Sequence, residues 1–251
     1  VTPTPTAWFE QEDLWVETYP LMFGPEKFRA AAEDVPKLLK LADLSGGAAL
    51  DLGCGPGRFC VPLAKQGFTV TGVDRTAFLL DKGRAFAADE DVTVEWVLED
   101  MRSFRRDGAF DLALSLFSTF GYFEDPADNR LVLENVFASL KRGGVFVIDL
   151  LGKEIIAGKY QAIDAQELED GSLLVQRRTI LEDWSRIVAE WILLKEMTQR
   201  SFKVRLWIYS AQELKALLRG VGFSSAAVYG SMDGTPYGPG AQRLIAVAKK
   251  P

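Results

Sequence analysis

Three glycines and three aspartates carry the chemistry this sequence can do. Gly53, Gly55 and Gly57 lie in Gly53-Cys-Gly-Pro-Gly57, behind an apolar run over 48–52 and ahead of Arg58-Phe59. Strand, tight glycine turn and helix in that order make a nucleotide-sized cradle, because glycine accepts positive φ and lets a ligand lie against the backbone. Helix N-terminal amides then face a carboxylate or phosphate in the turn. Asp51 precedes the first glycine by two residues. Asp74 ends the next apolar run, where a carboxylate accepts from both hydroxyls of a ribose, and Asp100 follows the run over 92–98. Asp74 is equally placed to cap the helix after it, and the two roles are compatible.

The elements that must hold these residues follow from periodicity. Strands are expected over 48–52, 68–73, 92–98, 110–116 and 144–150, alternating with helices over 58–66, 76–88 and 126–140. Short strands alternating with helices imply right-handed βαβ units and a parallel sheet covered on both faces. The aspartates then stand side by side at its carboxyl edge, the rim where open α/β sheets bind ligands. Past residue 151 the pattern changes. Partial period-2 alternation over 172–181, 186–195 and 201–209 reads as three antiparallel strands forming an insertion at about 160–209. A helix over 211–219 and strands over 222–229 and 241–248 complete the chain. Upstream, a helix is expected from Trp8 to Tyr19, with Trp8, Trp15 and Tyr19 on one face as core stripe or lid. A helix over 25–44 should break near Val35-Pro36 and restart at the proline. Residues 1–44 are read as a helical lid segment and 45–251 as the main domain.

Composition sets further bounds. The chain of 251 residues, 48% hydrophobic, can bury one large core, and its net charge of −6 is unlike that of a nucleic-acid binder. The sequence contains no histidine. That removes the imidazole base, the Ser-His and Cys-His nucleophile pairs and the usual zinc sets, so no metal site is expected. Its two cysteines, Cys54 and Cys60, read as unpaired thiols of a reducing interior. No apolar run approaches the ~20 residues needed to cross a bilayer, and residues 1–6 read as neither signal nor anchor. The expectation is a soluble, cytoplasmic protein.

Leu50-Asp-Leu-Gly-Cys-Gly-Pro-Gly57, Val73-Asp74, Glu99-Asp-Met101 and Leu140-Lys-Arg-Gly-Gly144 resemble class I S-adenosylmethionine-dependent methyltransferases. The resemblance covers 45–150 and, more loosely, 220–250. It implies a doubly wound, seven-stranded, mostly parallel Rossmann-like sheet, with the strand over 241–248 antiparallel, plus the antiparallel β insertion. It implies S-adenosylmethionine as cofactor. Gly53, Gly55 and Gly57 would line the methionine moiety and Asp74 would hold the ribose. Asp100 and Met101 would flank the adenine, and residues 116–119, Phe117 among them, would close over the sulfonium. Asp51, Cys54 and Arg75 belong to the same cofactor-binding set. Arg75 is a departure, since an apolar residue often packs the adenine there, and Arg142 stands where the family commonly has proline.

Tyr122 and Asp149 are the candidate catalytic groups near the acceptor atom. The motifs of adenine-modifying and cytosine C5 DNA methyltransferases are missing, so the expected partner is a small-molecule methyl acceptor rather than nucleic acid or membrane. Two readings compete with N- or O-methyl transfer. One is an NAD(P)-dependent oxidoreductase, whose glycine spacing is G-x-G-x-x-G rather than the G-x-G-x-G found here. The other is a non-catalytic S-adenosylmethionine-binding protein, because fold does not fix function.

Overall fold

The computed structural model describes residues 7–168 and 170–251. The expectation made for residues 1–6 lies outside them. A short 3₁₀ turn, Trp8–Glu10, leads into helices α1 (Glu12–Met22) and α2 (Pro25–Ala42). Then come β1 (Gly47–Leu52), α3 (Cys60–Lys65), β2 (Phe68–Asp74), α4 (Ala77–Asp89), β3 (Glu95–Leu98), β4 (Phe110–Ser115), α5 (Pro126–Ser139) and β5 (Leu140–Leu150). Helix α6 (Lys153–Lys159) precedes an antiparallel excursion of β6 (Ile163–Glu167), β7 (Leu173–Leu181), β8 (Arg186–Lys195) and β9 (Thr198–Trp207). Helix α7 (Ala211–Val221), β10 (Ser225–Tyr229) and β11 (Leu244–Lys249) follow.

The main sheet has seven strands in the order β10-β11-β5-β4-β1-β2-β3. Only β11 runs against its neighbours, pairing antiparallel with both β5 and β10. This is the doubly wound, mostly parallel sheet that the sequence predicts. Side-chain alternation explains why it is covered twice: Leu50, Leu52, Phe146 and Ile148 enter one core, while Ala49, Leu112, Leu114, Val145 and Val147 enter the other. Strand order reverses between β1 and β4. The crevice beyond their carboxyl ends is where such a sheet has room for a ligand.

Several boundaries differ from the sequence reading for identifiable reasons. Helix α2 runs unbroken through Pro36, because Ala31, Val35, Leu38, Leu39 and Ala42 bury one continuous face, and that burial outweighs the missing N–H. Helix α1 likewise runs through Pro20 to Met22. The excursion has four strands rather than three. Its edge strand β6 is exposed at four of five positions, so it pairs through its backbone and shows no apolar alternation. Among the described residues no helix is long and apolar enough to cross a membrane.

Candidate active site

The turn after β1 has the conformation its glycines foretold: φ is +73° at Gly53, +54° at Gly55 and +74° at Gly57. The backbone amides of Gly53 and Cys54 donate to the Val73 carbonyl at 2.8 and 3.0 Å, which ties the turn to β2. Asp74 braces it from the next strand end. One carboxylate oxygen accepts the Gly55 amide and the other the Thr76 amide, each at 2.9 Å. The Thr76 hydroxyl and the Arg75 amide also act on this carboxylate. Asp74 does not cap the helix: Thr76 is the N-cap of α4, and Asp74 binds the Thr76 amide in the turn that precedes it.

Above this turn lies a cavity of about 310 Å³. Of the residues singled out in the sequence, Asp51, Gly53, Cys54, Gly55, Asp74, Arg75, Asp100, Met101, Phe117 and Tyr122 line it. The remaining walls are mainly apolar, with Phe9, Trp15, Met22 and Phe23 from the N-terminal segment and Leu79 and Phe123 from the body. Such a lining, with few convergent polar groups, is the usual make-up of a small-molecule site.

Two expected residues stand elsewhere. Gly57 turns away from the cavity and sits under Trp96, where a Cβ would overlap the indole. Gly72 of β2 and Gly83 of α4 approach the same ring, so the third glycine of the turn serves close packing rather than ligand contact. Asp149 is fully buried and does not reach the cavity. Its carboxylate accepts from the Arg243 Nε at 2.6 Å and from the Phe117 amide at 3.1 Å, and its carbonyl accepts the Ser118 amide at 2.9 Å. Phe117 and Ser118 both have left-handed backbones, with φ of +58° and +64°. Asp149 and Arg243 are the clamp that holds these two strained residues at the cavity wall.

Tyr122 has its ring against Trp8 and Phe9, with centroids 4.6 and 5.9 Å away. Trp207 of β9 splints the flanking backbone, its amide donating to the Gly121 carbonyl and its indole to the Phe123 carbonyl, each at 2.8 Å. Burial, reinforced by the Asp74 charge, holds the Tyr122 phenol well above its ordinary pKa. It is therefore a neutral hydroxyl.

The carboxylates differ in state. Burial would raise Asp100, but three hydrogen bonds from the Arg102 backbone amide and guanidinium hold it below the ordinary range. Arg75 bridges to this group, 2.7 Å from Glu10 and 3.7 Å from Asp100. Asp51 is pushed up to about 7 by burial, against the opposing pull of the Cys60 thiol, which lies 3.3 Å from its Oδ2. Both thiols are raised by burial, Cys54 to about 11, so neither is a thiolate at neutral pH.

The raised Asp51 predicts a pH effect on stability. The group's unfolded value is near 3.8, so the stability tied to its proton is complete below pH 4 and is lost as pH rises through about 7. Asp51→Asn keeps an acceptor for the Cys60 thiol without the charge. Urea melts should show the variant gaining on the wild type between pH 4 and 7, by up to about 1.4 kcal/mol per pH unit. Parallel pH profiles for the two proteins would refute this.

Residues 49–144 match the family model for a methyltransferase domain. That stretch carries a methyltransferase domain. Ubiquinone biosynthesis O-methyltransferase of Coxiella burnetii is 27% identical over 124 residues, which cover 49% of this chain and 51% of that one. The chain spans about half or less of the length of the curated relatives it matches first. Among solved structures, an S-adenosylmethionine-dependent methyltransferase from Clostridium acetobutylicum superposes with a TM-score of 0.77 at 13% identity, covering 95% of this chain and 98% of that one. S-adenosylmethionine-bound CalS10, an amino pentose methyltransferase from Micromonospora echinaspora, gives 0.67 at 21% identity, covering 95% and 97%. The fold shared with these structures thus extends well beyond residues 49–144.

The sequence reading of this methyltransferase domain gave Thr119 and a lid over 1–44, but it did not name Arg58, Glu99, Phe9 or Phe23 as site residues. Arg58 and Glu99 directly adjoin motif residues, which is the signal that could have found them. Phe9 and Phe23 carried none, because apolar residues on helices read equally well as core.

Proposed function

We propose that the chain transfers a methyl group from S-adenosylmethionine to a nitrogen or oxygen of a small molecule by direct in-line displacement. The observation that carries this reading is the cavity at the switch point, rimmed by Asp74 and Asp100 and floored by glycines whose missing side chains leave it open. A Cβ at Gly53 would come within 3.0 Å of the Thr119 side chain. In this reading Asp74 takes the ribose hydroxyls, and Gly53 and Gly55 make room for the amino-acid tail. Met101 and Asp100 flank the adenine. The bound cofactor would supply a methyl group on a positively charged sulfur, a leaving group that needs no acid to activate it.

What the protein must then do is place the acceptor and keep water out, a contribution on the order of 7–11 kcal/mol. The N-terminal segment fits the part of a lid. Phe9, Trp15, Met22 and Phe23 roof the cavity, and the segment is fastened by the Trp8 indole to the Arg205 carbonyl at 3.0 Å and by Glu10 to Arg75. Tyr122 presents its neutral hydroxyl to the acceptor as a hydrogen-bond donor.

The acceptor atom we favour is nitrogen. A hydroxyl must lose its proton to a base, and the chain has no histidine, a Tyr122 held protonated and an Asp149 outside the cavity. A neutral amine brings its own lone pair. That CalS10 is an amino pentose methyltransferase is in keeping with this choice. Incubation with methyl-labelled S-adenosylmethionine and separate panels of small amines, phenols and carboxylates should label the amines first. Cofactor binding without labelled product in any panel would leave a non-catalytic binding protein in its place.

A further inference from the structure

Arg58 is a cation without a partner where the surroundings supply none. It follows Gly57 and lines the cavity, with its guanidinium carbon 3.7 Å from the centroid of the Phe117 ring and 5.7 Å from that of Phe23. Among the described residues it makes no hydrogen bond, and only charges at longer range act on it. Both nearby carboxylates are otherwise engaged. Asp149 is bound to Arg243 and to the Phe117 amide, and Asp51 accepts the Cys60 thiol. Arg243 adds a second positive charge nearby. A largely desolvated guanidinium with five unused donors is costly unless an acceptor meets it.

Its place in the cavity says which acceptor. The strand ends stand in the order β3, β2, β1, β4. Asp100 and Glu99 lie beyond β3, Asp74 ends β2, and Arg58 lies against Phe117 beyond β4. Three strand spacings of about 4.8 Å separate the two ends by about 14 Å. The cavity is therefore acidic at the nucleoside end and cationic at the other, with room between for a nucleoside whose tail is extended. A planar guanidinium held against an aromatic ring is the geometry suited to a carboxylate.

We propose that Arg58 is the carboxylate receptor of this cavity, and that it takes the carboxylate of the cofactor's amino-acid tail. The protein thereby distinguishes an adenosyl amino acid from a bare thioether nucleoside. The assignment rests on the cofactor reading above, and the test separates the two. Calorimetric titrations of the wild type, Arg58→Met and Arg58→Lys would use S-adenosylhomocysteine and 5′-methylthioadenosine, which share the nucleoside and sulfur but not the tail. The wild type should prefer S-adenosylhomocysteine. Arg58→Met should weaken it about 30-fold while changing methylthioadenosine less than about twofold, and Arg58→Lys should recover part of the loss. Should the methionine variant melt early, the lysine variant carries the test, with partial loss for S-adenosylhomocysteine alone. Equal weakening of both ligands, or no change in either, would overturn the assignment. A wild type that binds both ligands equally would defeat Arg58 but leave the cofactor reading intact; one that binds neither would defeat both.

Discussion

Asp74→Ala should weaken S-adenosylhomocysteine binding about 100- to 10,000-fold, the largest loss expected of any single substitution in the cavity. Two hydroxyl donors meeting one carboxylate are each worth about 1.5–3 kcal/mol, and each tenfold in affinity is about 1.4 kcal/mol. The side chain also receives the Gly55 and Thr76 amides, so part of the loss comes from a loosened turn. Two controls divide these shares. Asp74→Asn keeps an acceptor oxygen but offers the diol a donor where an acceptor is wanted, and it should lose most of the affinity at little cost in melting temperature. A 2′-deoxyribose analogue of the ligand should bind the wild type weakly and the alanine variant no worse than the parent ligand. Alanine-variant affinity within threefold of the wild type would remove Asp74 from the ribose site.

The second large effect is on stability and lies outside the cavity. Gly57→Ala should destabilise the protein by about 3 kcal/mol. An L-residue held in the left-handed region costs about 1–2 kcal/mol, and forcing a methyl into packed space costs about 1–3 kcal/mol more. Its backbone φ is +74°, and the Cβ would overlap Trp96. For a chain of this size that corresponds to a fall in melting temperature of roughly 6–12 °C. Trp96→Leu in the same chain should relieve the crowding but not the backbone strain, so the double variant should be more stable than the two single losses sum to. Strict additivity, or a Gly57→Ala protein that melts like the wild type and merely loses ligand, would return this glycine to the cofactor's tail.

The fold and half of the site were legible because they rest on short-range rules. Strand–glycine turn–helix at 48–66, and an acid at each of three successive strand ends, need no knowledge of tertiary contacts. What escaped was whatever a neighbour in space decides. The role of Gly57 depends on Trp96, which comes from another strand. Asp149 looks like a rim acid in sequence, at the end of β5, but Arg243 draws its carboxylate beneath the loop. Pro36 reads as a helix break, yet a buried face carries α2 through it. The exposed strand β6 is defined by backbone pairing to β7, which leaves no trace in side-chain pattern. Arg58 was visible as a letter, but its lack of a partner appears only when every nearby carboxylate can be seen to be taken.

The clamp on Phe117 and Ser118 has a bearing on when the protein becomes competent. Arg243 stands 125 positions after Ser118, just ahead of the strand that must slot between β5 and β10. During synthesis the glycine turn, the rim acids and the β4 loop all leave the ribosome long before that arginine does. A nascent chain halted at about residue 240 would own nearly every ligand-facing group, yet the loop bearing Phe117 would have nothing to pin it.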